Sequence, residues 1–267
     1  MLKFISFGSG SCGNCYYLFT ENCGMLIDMG IGIRKLKKEF CDYGLNPNNV
    51  SHILITHDHA DHIKAVGSFS TTYGLPVYGT EKVHMGIKQN YCVRKKIKEE
   101  NIRIITNGND FAIGDFKISS FHVPHDSMDN VGYMIRYGEV TFSLMTDIGH
   151  LTEEMANVIN QSDYLVIESN HDEDMLRFGL YPEHLKIRVA GDNGHLSNRM
   201  CAKAITENAS DKLKHVWLCH LSRENNTPEL ALKTTTEEIA KTDRLKEHEI
   251  KVDVLLRGTP SKIYTLE

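Results

Sequence analysis

Within six residues the chain sets three histidines and two aspartates: "HDHADH", from His57 through Asp58, His59 and Asp61 to His62. The run follows "ILIT", an apolar stretch that reads as the end of a buried strand. In extended chain alternate side chains share a side, so His57 and His59 can converge on one point. A turn then lets Asp61 and His62 face a second point nearby. Imidazole nitrogens and carboxylate oxygens suit zinc, manganese or iron. Without cations such groups crowd one another at a cost that bound metal removes.

A solvated polar turn is the plain alternative, and residues downstream speak against it. His125 follows "SSFHVP", Asp147 follows "TFSLMT" and His220 follows "HVWLC", each at the end of a predicted strand. Loops at strand ends are where a rigid sheet can aim ligands at one cleft. A carboxylate such as Asp147 can bridge two metals ~3.5–4 Å apart. His122 competes with His125. His150 and His215 are further rivals, read as structural or as supports behind the ligands.

Positioning these groups requires many short strands. The pattern predicts strands over 2–7, 15–19, 25–28, 51–56 and 77–78, with helices over 33–40, after His62 and over 81–90. "FAIGDFKISSFHV" and "VGYMIRYGEVTFSLMTD" carry turn glycines between β-rich runs and read as hairpins. "TEEMANVINQ" reads as a helix with a threonine cap and an acidic first turn. "DYLVIES", "KHVWLCHLS" and "KVDVLLR" read as strands, and 197–209 and 228–245 as helices, the last with Pro228 at its start. Hairpin-rich β segments with helices between them predict stacked sheets covered by helices.

The 267 residues contain no repeat, low-complexity tract or linker, so a single domain over 1–267 is expected. A chain of this length can bury a core without disulfides. The seven scattered cysteines, with no export signal ahead of them, are expected to be reduced thiols in the cytoplasm. Cys12-x-x-Cys15 has no second pair and is expected to serve packing. No run nears the ~20 apolar residues of a membrane span, so no membrane partner is expected. The net charge of −5 gives no polybasic coat, but "RKLKK" (Arg34–Lys38) and "VRKKIK" (Val93–Lys98) are open to phosphate contact or to plain solvation.

The string His-x-His-x-Asp-His after an apolar strand, with "LIDMG" upstream and isolated His, Asp and His downstream, resembles the metallo-β-lactamase superfamily. The resemblance covers essentially the whole chain. It implies an α/β (α+β) fold, the four-layer αββα sandwich, and two divalent metal ions per chain, zinc or manganese first and iron also possible. Carried over by position, His57, His59 and His125 would hold one metal. Asp61, His62 and His220 would hold the other, and Asp147 would bridge. Asp28 would support the metal loop, with an ordinary turn aspartate as its alternative.

Four further stretches, "GSGSCGNCYYL", "IESNHDEDML", "GDNGHLSN" and "LCHLSRENNTPELA", resemble the YycJ/WalJ family within that superfamily. This implies a metal-dependent phosphodiesterase, a 5′→3′ exonuclease on double-stranded DNA that uses hydroxide activated by the two metals. The couple Glu168 and His195 resembles the acid–histidine pair of tRNA-processing endonucleases, in which the histidine faces the scissile phosphate and the glutamate orients it. An imidazole held by a carboxylate can supply the proton a leaving oxygen needs. Asp61, His195 and Glu168 are thus the expected catalytic residues, with Asn170, His171, Ser222 and Asn225 supporting the ligands. A small-molecule phosphodiesterase or thioesterase remains the alternative enzyme. A metal-stabilised regulatory binding protein remains the non-enzyme alternative.

Overall fold

The computed structural model describes residues 1–267. They fall into two compact units: Met1–Asn109 with Ser127–Asn130 and Leu256–Glu267, and Asp110–Asp126 with Val131–Leu255. Each is a seven-stranded mixed sheet with helices packed on it, which bears out the α/β class.

In the first unit, β1 (Leu2–Gly8), β2 (Cys15–Phe19) and β3 (Gly24–Ile27) form an antiparallel meander. The chain then continues in parallel through β4 (Val50–Leu54), β5 (Val77–Gly79) and β6 (Ile102–Ile104). Helices α1 (Ile33–Asp42), α2 (Ala60–Ile63), α3 (Val66–Tyr73) and α4 (Glu81–Gln89) make the crossovers. α1 shows why the sequence folds this way. Leu36 and Phe40 are buried one turn apart while the lysines stay exposed. Phe40 packs its ring 4.9 Å from Phe7 and 5.1 Å from Tyr17. The predicted strand 51–56 stops early, at Leu54. The Thr56 amide leaves the ladder and donates instead to the Asp28 carboxylate. The helix expected after His62 is broken into α2 and α3.

In the second unit, β7 (Asp110–Ile113), β8 (Phe116–His122), β9 (Val131–Tyr137) and β10 (Val140–Met145) are antiparallel neighbours. Both predicted hairpins are present, with Gly114 (φ 56°) and Gly138 (φ 57°) taking the left-handed turn positions. Parallel strands β11 (Tyr164–Glu168), β12 (His215–Cys219) and β13 (Lys251–Val254) follow. Helices α5 (Glu153–Gln161), α8 (Asn198–Asn208) and α9 (Pro228–Lys241) are capped by Thr152, Ser197 and Thr227. Between β11 and α8 lie two helices absent from the sequence reading, α6 (Glu173–Phe178) and α7 (Glu183–Ala190). α7 buries none of its residues and so carries no apolar stripe to read. Strand β6, and β14 (Tyr264–Leu266), which pairs with β1, were too short to show a period.

All seven cysteines are unpaired. Cys15 is buried on β2 and serves packing, whereas Cys12 is exposed on the preceding loop. No helix is long and apolar enough to cross a membrane. Truncating Phe40 to alanine removes the ring that joins α1 to the sheet. We expect a loss of about 3–5 kcal/mol, read as a lower urea midpoint at unchanged slope.

Candidate metal centre

The first unit gathers His57, His59, Asp61 and His62 just beyond the end of β4. The rings of His57 and His62 lie 4.0 Å apart and those of His57 and His59 4.8 Å. Backbone contacts fix the loop: the amides of Asn14 and Met29 donate to the carbonyls of Asp61 (2.7 Å) and His62 (2.6 Å). A side chain at Gly30 would stand 1.6 Å from the Asp61 carbonyl, so only glycine fits. Asp58 turns the other way. Its carboxylate accepts the Met128 amide at 3.1 Å and packs on Gly86 of α4, so it braces the loop.

Asp28 sits behind this cluster, fully buried, in the left-handed region at φ 61°. One carboxylate oxygen accepts the Thr56 amide at 2.8 Å, and both accept the Thr56 hydroxyl, at 3.1 and 2.9 Å. The other oxygen accepts His62 Nδ1–H at 2.7 Å. Thr56 Oγ1, its proton given to Asp28, accepts His57 Nδ1–H at 3.0 Å. Both rings thus carry the lone pair on Nε2, the state a metal ligand needs. Asn14 is a member that the sequence reading did not single out. Its amide nitrogen lies 2.8 Å from His62 Nε2 and 3.3 Å from an Asp61 carboxylate oxygen.

The second unit gathers His125, Asp147, Glu168, His195 and His220. Asp147 follows β10 and His220 follows β12, both in the left-handed region, at φ 57° and 55°. Glu168 ends β11 and is fully buried. One of its oxygens accepts His195 Nδ1–H at 2.8 Å and His220 Nδ1–H at 2.9 Å. The other accepts the amides of Ile148 (2.6 Å) and Leu196 (3.1 Å). Burial alone would raise the Glu168 pKa. The charge of His195 and the imidazole hydrogen bonds outweigh it and bring the pKa to about 2. Burial likewise pushes His195 down, but the Glu168 and Asp147 carboxylates reverse that, and its pKa is raised.

His125 donates Nδ1–H to the Gly194 carbonyl at 3.1 Å, and its Nε2 lies 3.7 Å from Asp147. Asp147 is also 3.4 Å from His220 and 3.8 Å from His195. Asn170 donates to the His220 carbonyl at 2.8 Å. Ser222 Oγ accepts the Asn225 amide at 3.3 Å. The side chain that ties this floor together is Asn226, which donates to the carbonyls of Ser169 and Asn170 and to Asn198. His171 lies buried beyond Asn170, its pKa lowered by desolvation. The rival histidines are engaged elsewhere: His150 bonds the Asp192 carbonyl at 2.8 Å, and His215 pairs with Asp253 at 3.0 Å and stacks on Trp217.

The lysines of the two basic runs are partly committed to the scaffold. Lys35 reaches the Gly258 carbonyl at 2.6 Å, Lys37 sits 5.2 Å over the Tyr73 ring, and Lys96 binds the Asn90 carbonyl at 2.7 Å.

Comparison with known proteins agrees with this chemistry. A family profile described as a beta-lactamase superfamily domain matches residues 25–220. The chain is 37% identical over 230 residues to an exodeoxyribonuclease YycJ of Bacillus anthracis, covering 86% of each protein. It is 35% identical over 241 residues to an exodeoxyribonuclease WalJ of Streptococcus pneumoniae, covering 90% of this chain and 89% of the relative. The crystal structure of the metallo-beta-lactamase fold protein YhfI of Bacillus subtilis superimposes with a TM-score of 0.68 at 16% identity, over 98% of this chain and all of that one.

Because Asp28 sets the His62 tautomer, Asp28→Asn should weaken metal binding by about 10–100-fold while the protein stays folded. Titration with zinc, followed by calorimetry alongside a thermal melt, reads both.

Proposed function

The chain belongs to the metallo-β-lactamase superfamily of metal-dependent hydrolases, and from that premise we propose that it is a nuclease whose two histidine clusters together hold two divalent cations. The observation that carries this reading is a shared device. His57, His62, His125 and His220 each commit Nδ1–H to an acceptor behind the ring: Thr56, Asp28, the Gly194 carbonyl and Glu168. Metal-ligating histidines are oriented in this way, and the rings of these four also lie beside a carboxylate or a second imidazole.

We assign His57, His59 and His125 to one cation, Asp61, His62 and His220 to the other, and Asp147 to both. When bound, the two ions supply Lewis acidity, lowering the pKa of water toward ~7 and stabilising charge on a phosphodiester. The chain's own residues do the rest. Glu168, held ionised by its four donors, keeps His195 Nδ1 protonated and the ring fixed in place. The raised pKa of His195 favours an imidazolium beside the site, able to give a proton to the departing 3′-oxygen. Water adds to phosphorus, the P–O3′ bond breaks, and the proton goes to that oxygen. The substrate of this reading is duplex DNA attacked from a 5′ end, as the names of the relatives favour for the DNA and the sequence resemblance for the polarity.

The deciding experiment offers end-labelled duplex DNA, single-stranded DNA and RNA to the protein loaded with zinc, manganese or iron. Loss of the 5′ label from duplex DNA as mononucleotides supports the reading. Hydrolysis of small phosphodiesters or a thioester with no nucleic acid degraded refutes it, and chelation should abolish all activity.

The variants separate roles. Asp147→Ala should lose both bound metal and activity. His195→Ala should retain both metals by elemental analysis while kcat falls by about 10²–10⁴-fold.

The two ligand sets are also unequal. His62 and His220 are backed by carboxylates and join Asp61, while His57 and His125 are backed by neutral groups. The more anionic set should fill first. A calorimetric titration with zinc is expected to resolve two steps, and a single step of two ions would contradict the assignment.

A further inference from the structure

Helices α6 and α7 form an arm between Glu168 and His195, and no step of the proposed hydrolysis uses it. The arm and the turn that follows β11 line an open cavity of about 260 Å³. That is slightly below the ~300–1,000 Å³ of pockets for drug-sized ligands, so it suits one ring system better than a whole nucleotide. Leu176 and Ile187 supply apolar walls, and His171 lies at the β11 end. His171 is 3% exposed and its Nδ1 makes no hydrogen bond.

The cavity adjoins the catalytic couple through the backbone. His171 pairs with Ser197 as a bridge, its carbonyl accepts the Asn198 amide, and Asn170 accepts nothing from the arm but donates its amide to Leu196, next to His195.

The rim selects the occupant. Glu173 and Glu183 line it together with Arg177 and Lys186. Two carboxylates oppose a phosphate inside the cavity but accept the amino groups that bases present. Lys186 is held at the lip by the Arg177 carbonyl at 2.7 Å, and the Arg177 guanidinium lies 5.4 Å over the ring of Phe178. Phe178 is 76% exposed, an aromatic face open to stacking. Apolar walls, mixed polar rim and cations at the lip together match a flat heterocycle whose phosphate stays outside.

We propose that this cavity receives the terminal nucleobase of the DNA end, frayed from its partner strand, and so positions the first phosphodiester for hydrolysis. The inference rests on the nuclease reading and adds to it an end-recognition site on the α6–α7 arm. It explains how an exonuclease distinguishes an end from the duplex interior. Only a terminal base leaves the stack at small cost, since unpairing an internal base costs a few kcal/mol.

The test compares two 5′-phosphorylated duplexes, one with a 5′-terminal adenosine and one whose 5′-terminal nucleotide lacks its base. The wild-type protein should show a KM about tenfold higher for the abasic end, as loss of one stacked base implies, with kcat little changed. Ile187→Trp, at a position exposed enough to tolerate the ring, fills the cavity and should raise the KM of the base-bearing duplex to that of the abasic one. Ala190→Phe fills it from another wall and should do the same, so that a folding defect in either variant is recognised. Equal KM values for the two duplexes with the wild-type protein overturn the inference, as does tenfold discrimination retained in both variants. A wild-type protein that hydrolyses bis-p-nitrophenyl phosphate but neither duplex overturns the nuclease reading itself.

Discussion

A carboxylate stripped of all water holds the second cluster together. Glu168 is fully buried, and an uncompensated charge in that position costs several kcal/mol. Four donors offset that cost, and they come from three places: Ile148 after β10, His220 after β12, and the neighbours His195 and Leu196 on the loop before α8. The penalty for losing any donor is therefore also a force that keeps three strand ends in register with one loop. This is why a histidine supplied by a loop, His195, can be as well placed as one at the end of a strand.

The same logic accounts for backbone strain. Asp28, Asp147 and His220 are the three non-glycine residues with positive φ, and each lies within two residues of the end of a strand: β3, β10 and β12. A conformation of this kind costs about 1–3 kcal/mol per residue and persists only where the surroundings over-determine it. For Asp28 the surroundings are Thr56 and His62, and for His220 they are Glu168 and Asn170. The left-handed turn throws the side chain off the strand direction at the point where the ladder ends. Glycine would take the turn without strain but would bring no side chain to the cluster.

Much of this was legible from residue types. "HDHADH" concentrates donors in six positions, and the strand-end signals before His125, Asp147 and His220 are apolar runs that the sheet buries. Asn14, Thr56 and Asn226 were not legible. Each is a single common polar residue whose partner lies far along the chain, 48 positions for Asn14 to His62 and 28 for Thr56 to Asp28. No local pattern encodes such a meeting. The α6–α7 arm escaped for a different reason. Its helices are short, α7 buries nothing, and the periodicity that reveals a helix exists only where one face is covered.

Charge is what would reconcile an acidic chain with the polyanionic substrate proposed for it. The proposed centre and its supports include Asp28, Asp61, Asp147 and Glu168, four carboxylates within a chain whose net charge is −5. Two divalent cations bound as proposed would add about four positive units where those carboxylates lie, so the loaded protein would approach charge balance. The balance is also local. Asp28 and Glu168 hydrogen-bond imidazole rings, and in the proposed centre they would act on the cations only through those rings, their charge passed to Nε2 as basicity. Under the proposed assignment Asp61 and Asp147 would offer carboxylate oxygens to the cations directly. Dividing the acids in this way would leave the ions residual positive charge with which to attract a phosphate. Four carboxylates in direct contact would neutralise them, and the centre would bind metal tightly at the expense of the substrate.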